Sequence, residues 1–283
     1  MHLLVNGLVV STESDMNPVD NVAQKFDEWW INLRGSSTDG RGIRKAQRIW
    51  GSTVWDRQTA QVVAMIPARG GSKGILKKNI KKLNNLPLIR YTVEAALKSE
   101  GINRVIVSTD SGEIAAEAVK LGAEVPFLRP AELATDDSPT IDSVWHFLDM
   151  VPNASTIVLL QPTSPFRSSA DIESCLGVHF SSGCKSVVSV CESSKHPAWM
   201  YSLRFDGTLC KFSEIDASRR QDLQKVYCLN GAIYIASAAQ LRSERTFITS
   251  STLGYAMPRE RSLDLDTPLD WEYAEFMLSR RNP

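Results

Sequence analysis

The segment Ile66-Pro-Ala-Arg-Gly-Gly-Ser-Lys-Gly74 ends a short apolar run (Gln61 to Ile66) in a loop of glycines and cations. Gly70, Gly71 and Gly74 let backbone N–H groups approach an anion closely. Arg69, Lys73, Lys77 and Lys78 can offset its charge, and Asn79 follows at once. A strand that runs into such a loop suits a polyphosphate. The spacing fits neither the G-x-x-x-x-G-K-[ST] phosphate loop nor the G-x-G-x-x-G dinucleotide turn, so nucleotide phosphate would be held by another grammar. A solvated basic turn is the plain alternative for this segment taken alone.

Its chemical complement lies near the other end of the chain. In Asp264-Leu265-Asp266 an extended backbone puts both carboxylates on one face and Leu265 on the other. Carboxylates held close together repel unless a cation lies between them. Mg²⁺ (or Mn²⁺) suits oxygen ligands and keeps its other positions for water and phosphate. Alone, the motif also reads as a polar lead into a helix that starts near Asp270. Together, a cationic loop and an acidic pair are what nucleotidyl transfer requires.

These groups need a scaffold, and the sequence predicts one. Short β-branched runs at Val62–Ile66, Val105–Val107, Ile157–Leu160 and Val187–Val190 alternate with amphipathic stretches. In one stretch Ile89, Val93, Ala96 and Leu97 share a face; in another Ile114, Ala118 and Leu121 do. A third runs from Thr140 to Met150 with Ile141, Val144, Trp145 and Leu148 inward. The pattern predicts a Rossmann-like α/β domain over residues 61–283, with a mostly parallel sheet flanked by helices and right-handed crossovers. Ligands then bind beyond the carboxyl ends of the strands, where the basic loop, Ser108-Thr-Asp110 and Gln161-Pro-Thr-Ser-Pro165 all fall. Residues 191–230 break the rhythm: Trp199–Phe205 and Thr208–Phe212 read as strands joined by an Asp206-Gly207 turn, a protruding hairpin suited to contact between copies. A further strand at Ala232–Ala236 and a helix from Pro268 complete the domain. His196, before Pro197, reads as a structural histidine.

Residues 1–60 form a separate extension whose role is not legible. Asn17-Pro18 opens an expected helix there, and four of the seven tryptophans fall in this stretch.

Composition excludes several classes. Lys+Arg and Asp+Glu are both 32, so no basic excess marks a nucleic-acid binder. No apolar run approaches the roughly 20 residues of a membrane span. The opening Met1–Val10 lacks a basic n-region and a cleavage site. The five cysteines form no C-x-x-C pair, as expected of reduced thiols in a cytoplasmic protein.

With these motifs in order, the chain resembles the CMP-sialic acid synthetases (acylneuraminate cytidylyltransferases) and their relatives for legionaminic and pseudaminic acid. The resemblance rests on Ile66–Gly74, Leu76-Lys-Lys-Asn79, Val107–Asp110, Leu128–Ala134, Leu160–Pro165, Arg220-Gln221, Asn230-Gly-Ala-Ile-Tyr234 and Asp264–Thr267, over about residues 61–280. It implies CTP and a nine-carbon 2-keto sugar acid as substrates, giving the CMP-sugar and pyrophosphate. It assigns the triphosphate to Arg69, Lys73 and Lys78. Cytosine and ribose fall to Asn79, Arg129 and Thr140, with Ala68, Gly70, Gly71, Ser72, Ser108 and Asp110 completing the nucleotide site. Gln161, Arg220, Gln221 and Asn230 would face the sugar, and Asp264 with Asp266 would carry the metal, Asp266 counting among the catalytic groups. It also implies a homodimer. Two positions depart from the sialic-acid pattern: Cys228-Leu229 stands where Arg-Pro is common before Asn-Gly-Ala, and Trp199 stands where some members have Lys. A legionaminic- or pseudaminic-type acid is therefore an alternative substrate. The eight-carbon KDO and a non-catalytic nucleotide-binding module are weaker readings.

Overall fold

A computed structural model describes residues 61–72, 74–215, 219, 221 and 223–281. The extension 1–60, Lys73 and Arg220, with the expectations attached to them, lie outside the described residues.

The strands are β1 Val62–Pro67, β2 Lys82–Leu83, β3 Leu86–Pro87, β4 Arg104–Ser108, β5 Thr156–Leu159, β6 Ser186–Glu192, β7 Tyr201–Leu203, β8 Leu209–Lys211, β9 Tyr227–Ser237 and β10 Leu253–Ala256. The helices are α1 Leu88–Leu97, α2 Gly112–Lys120, α3 Thr140–Met150, α4 Ser169–Ser182, α5 Ala238–Glu244 and α6 Pro268–Arg281. Six strands form the central sheet in the order β10-β6-β9-β5-β1-β4. β1 pairs parallel to β4 and β5, and β10 pairs parallel to β6, whereas β9 runs antiparallel to both neighbours. The mixed α/β fold expected from the alternation is therefore present, with one reversed strand inside the sheet.

β1 is buried along nearly its whole length because both sheet faces are covered. On one face Ala64, Ile66, Val105 and Val107 meet Ile89, Val93 and Ala96 of α1 and Ile172 and Leu176 of α4. On the other, Val63, Met65 and Ile106 meet Val144, Phe147 and Leu148 of α3. Leu97, expected on the inward face of α1, is instead 46% exposed at the last residue of that helix. α4 carries a Ser168–Asp171 capping box. Its apolar residues are not confined to one narrow stripe, because it is buried on more than one side, and sequence periodicity alone did not predict it.

The protruding hairpin is present but shorter than expected, and its turn differs. Arg204 N–H donates to Thr208 O at 2.9 Å and Gly207 N–H to Arg204 O at 3.0 Å. The loop is thus three residues, Phe205-Asp206-Gly207, with Gly207 left-handed at φ 81. Asp206 accepts from Thr208 N–H and Oγ1–H at 3.0 and 2.7 Å, which favours this bulged turn over a two-residue one. His196 caps the short turn Pro197–Trp199 by accepting from Ala198 N–H at 3.1 Å, a structural role.

Candidate functional site

The parallel register aligns the carboxyl ends of three strands: Pro67 of β1 pairs with Ser108 of β4, and Met65 pairs with Leu159 of β5. The loops that follow therefore open on one edge, as the strand order requires. Ala68 is buried and its N–H donates to Ser108 O at 3.0 Å. Gly70 N–H donates to Asp110 Oδ1 at 2.8 Å. A Cβ on Gly70 would stand 3.0 Å from that of Ser111, so glycine lets the two loops close together. Gly71 is exposed, with open space around its Cα.

Asp110 also faces Arg129, whose Nη2 is 4.0 Å away. Arg129 is buried, its N–H donates to Thr109 O at 2.8 Å, and its Nη1 donates to Ser143 Oγ on α3 at 2.9 Å. Burial lowers its pKa against the opposing pull of Asp110. Asn79 is buried too, and its Nδ2 donates to Arg69 O at 2.9 Å, closing the basic loop on itself. Ala68, Gly70, Asn79, Ser108, Asp110 and Arg129 are thus one connected group, with Ser108 Oγ and Arg129 Nε buried and without partners among the described residues. Thr140 is the exposed first residue of α3.

The three described basic positions of the loop do not act alike. Lys77, left-handed at φ 50, is turned onto Glu113 at 2.8 Å. Arg69 is engaged by the segment before α3: Nη2 lies 2.6 Å from Asp136 Oδ1, and Nη1 donates to Thr135 O at 2.8 Å. Lys78 reaches the acidic pair, donating to Leu265 O at 2.8 Å, with Asp266 Oδ1 at 3.2 Å. Gly74 lies against the same segment: a Cβ there would stand 2.5 Å from Asp266 O. The basic loop and Asp264-Leu265-Asp266 therefore meet, as their complementary chemistry suggested.

Within the acidic pair the alternation holds, but the two environments differ. Leu265 is fully buried among Ile75, Leu83, Leu88 and Trp271. Asp266 is exposed. Asp264 is half-buried, its Oδ1 buried without a partner among the described residues. Burial raises the Asp264 pKa and Asp266 adds to that, while Thr163 and Lys78 oppose it. Among the described residues no group of three or more His, Cys, Asp or Glu side chains is placed to hold a metal.

The segment after β5 completes this edge. Leu265 N–H donates to Thr163 O at 2.8 Å. Gly231, left-handed at φ 73, lies against Gln161: a Cβ there would come within 2.8 Å of Gln161 Oε1 and 3.6 Å of Asp264 Oδ2. Asn230 is buried and fully engaged within the protein. Its Oδ1 accepts from Ser189 Oγ at 2.6 Å and Ala232 N–H at 3.2 Å, and its Nδ2 donates to Ser262 Oγ at 2.9 Å. It therefore positions β9 rather than presenting a free amide. Gln221 is exposed on the connection between β8 and β9.

Sequence reasoning missed Arg167. Its side chain is 3% exposed; Nη1 donates to Gln161 O at 3.1 Å and Ala232 O at 2.7 Å, and Nη2 bonds Thr92 Oγ1 on α1. It ties the Gln161 loop to β9, and burial pushes its pKa down to about 9. The cue was an arginine just after the Pro-Thr-Ser-Pro turn, where the chain must re-enter the core.

A basic loop and an acidic segment meeting at the carboxyl edge of a mixed sheet define a nucleotidyltransferase. Comparison with known proteins gives the same class. The family described as Cytidylyltransferase matches residues 63–197. The CMP-N,N'-diacetyllegionaminic acid synthase of Legionella pneumophila is 39% identical over 77% of this chain and 96% of its own length. The N-acylneuraminate cytidylyltransferase of Escherichia coli is 38% identical over 78% of this chain, which spans 53% of that longer protein. The fold is shared with a CMP:2-keto-3-deoxy-manno-octonic acid synthetase complexed with CTP, at a TM-score of 0.62 and 18% identity over 78% of this chain and all of that one. The chain belongs to the acylneuraminate cytidylyltransferase family.

Proposed function

We propose that this protein is a CMP-nonulosonic acid synthetase, transferring CMP from CTP to the anomeric hydroxyl of N-acylneuraminate or a close analogue. The observation that carries the reading is the meeting of the basic loop with the segment Asp264-Leu265-Asp266, through contacts of Lys78 and Gly74 with Leu265 and Asp266. The hydroxyl oxygen attacks the α-phosphorus in line and the bond to the β-phosphate breaks, releasing pyrophosphate and the hydroxyl proton. Lys78, with Lys73 and Arg69, bears on the triphosphate as charge moves to the leaving group. Asn79, Arg129, Thr140, Ser108 and Asp110 hold the nucleoside, and Gly70, Gly71 and Ser72 offer backbone N–H groups. Gln161, Arg220 and Gln221 face the sugar acid, and Arg167 holds the Gln161 loop in register.

The acidic pair fits a divalent cation. A buried carboxylate oxygen without a partner among the described residues, beside a second carboxylate, is the donor set Mg²⁺ or Mn²⁺ accepts while leaving positions for water and phosphate. Bound there, the ion would neutralise charge developing on the phosphates. The exposed apolar side chains of the β7–β8 hairpin, Leu203, Phe205, Leu209 and Phe212, support a homodimer. The free thiols of the described cysteines support a cytoplasmic setting.

Pyrophosphate release from CTP and Mg²⁺ with N-acetylneuraminate, N,N'-diacetyllegionaminate, a pseudaminic acid and KDO tests the reading. Release with a nine-carbon acid is expected. Release with KDO alone would point to the shorter sugar, and none with any acid would leave a nucleotide-binding module. The two 30–40% relatives named for different acids keep legionaminate as the second substrate reading.

A further inference from the structure

A pocket of about 410 Å³ opens beside Asp264, between the end of β6, the start of β9 and the turn that follows β10. Its volume suits a small-molecule site. Two of its lining residues are acidic: Asp264, and Glu192, which Lys225 Nζ approaches to 3.2 Å. An acid entering it meets repulsion unless a cation answers it. Cys228 and Leu229, on the β9 side, supply none. Among the described residues, the one basic residue in the lining is Arg259.

Arg259 belongs to a built feature. It opens the 3-10 turn Arg259–Arg261, and two anchors fix that turn. Arg261 forms a two-pronged contact with the buried Asp171 of α4, Nε to Oδ2 at 2.9 Å and Nη2 to Oδ1 at 2.8 Å. Ser262 Oγ–H donates to Pro258 O at 2.8 Å and accepts from Asn230 Nδ2 at 2.9 Å. Of the turn's two arginines, one is locked to a carboxylate inside the protein. The other, Arg259, is exposed at the pocket, and its guanidinium has no ion-pair partner among the described residues.

We propose that Arg259 receives the C1 carboxylate of the sugar acid. This rests on the synthetase reading above. In a 2-keto acid sugar the carboxylate is one bond from the anomeric carbon, so its counter-charge must lie near the reacting hydroxyl. Arg259 lines the same pocket as Asp264, on the stretch of chain leading to it, which meets that requirement. A guanidinium offers two parallel donors to a carboxylate, which fixes the orientation of the acid as well as its affinity. Arg259 thus supplies, from a different strand connection, the cation missing at Cys228-Leu229 and Trp199.

The test is steady-state kinetics of wild type, Arg259→Ala and Arg259→Lys, with N-acetylneuraminate and N,N'-diacetyllegionaminate as probes. Arg259→Ala is expected to raise KM for the acid about ten- to a hundred-fold, as loss of a charged hydrogen bond does. KM for CTP should stay within about twofold, which also reports an intact fold. Arg259→Lys should lie between. The C1 carboxamide of the better acid should bind wild type as weakly as the acid binds Arg259→Ala, and that variant should not distinguish the two. An active wild type whose acid KM is unchanged by Arg259→Ala overturns this contact alone. A wild type inert with every acid overturns the synthetase reading and this inference with it.

Discussion

The Lys78 ammonium lies 3.2 Å from Asp266 Oδ1 while donating to the backbone oxygen of Leu265 at 2.8 Å, joining positions 188 residues apart in the chain. An exposed ion pair of this kind adds little to stability, roughly 0–1 kcal/mol. Its worth is geometric: it fixes where a phosphate-binding loop stands relative to an acidic pair.

Asp264 and Asp266 should separate stability from activity. The folded Asp264 pKa is raised above 3.8, so folding penalises its ionised form. Wild type therefore loses stability as pH rises from 3.8 through the folded pKa, because the native state there binds more protons than the unfolded one. Asp264→Asn lacks that loss. It is expected to melt higher than wild type at pH 7, with the difference closing toward pH 3.8, while pyrophosphate release falls about a hundred- to a thousand-fold. Asp266→Asn, at an exposed position, should lose comparable activity with stability within about 0.5 kcal/mol. Thermal melts across pH, beside turnover, check both; near-normal turnover in either variant would remove the acidic pair from the chemistry.

Gly74→Ala places a methyl 2.5 Å from the Asp266 backbone oxygen, and backbone cannot yield as a flexible side chain can. The basic loop must move away from the acidic segment. We expect a stability loss of about 1–3 kcal/mol and a fall in kcat/KM of at least about tenfold. Gly71→Ala meets no atom of the described residues within 4 Å and should leave stability nearly unchanged, which makes it the control. Equal denaturation midpoints and equal rates for the two variants would refute the close approach.

Arg69 is held by Asp136 at 2.6 Å and by Thr135 O. A triphosphate has to compete with that carboxylate for the guanidinium. Arg69→Ala should weaken CTP binding about ten- to a hundred-fold. Asp136→Asn should tighten it by a few-fold, since the neutral amide competes less well. Calorimetric titration with CTP reads both, and unchanged affinity in Arg69→Ala would take that residue out of the triphosphate site.

The sequence by itself determined five strands of the central sheet and the helices α1, α2, α3 and α6, but neither the strand Leu253–Ala256 nor the reversal of β9. Buried parallel strands need unbroken β-branched runs, and helices such as Thr140–Met150 need one apolar stripe; both are local patterns. It also determined which residue types gather at the strand ends, because glycines, cations and paired carboxylates there have few structural uses. Tertiary structure alone decided how those residues divide the work. Lys77, Lys78 and Arg69 look interchangeable in sequence, yet each is turned to a different partner by loop geometry: Glu113, Asp266 and Asp136. The bonds of Asn230 and Arg167 have the same origin, since whether an amide or a guanidinium is spent inside the core depends on carbonyls and hydroxyls brought from distant segments. Long-range pairing leaves no periodic trace in a single chain, so Arg259 at the pocket, beside the locked Arg261, emerged only with the fold.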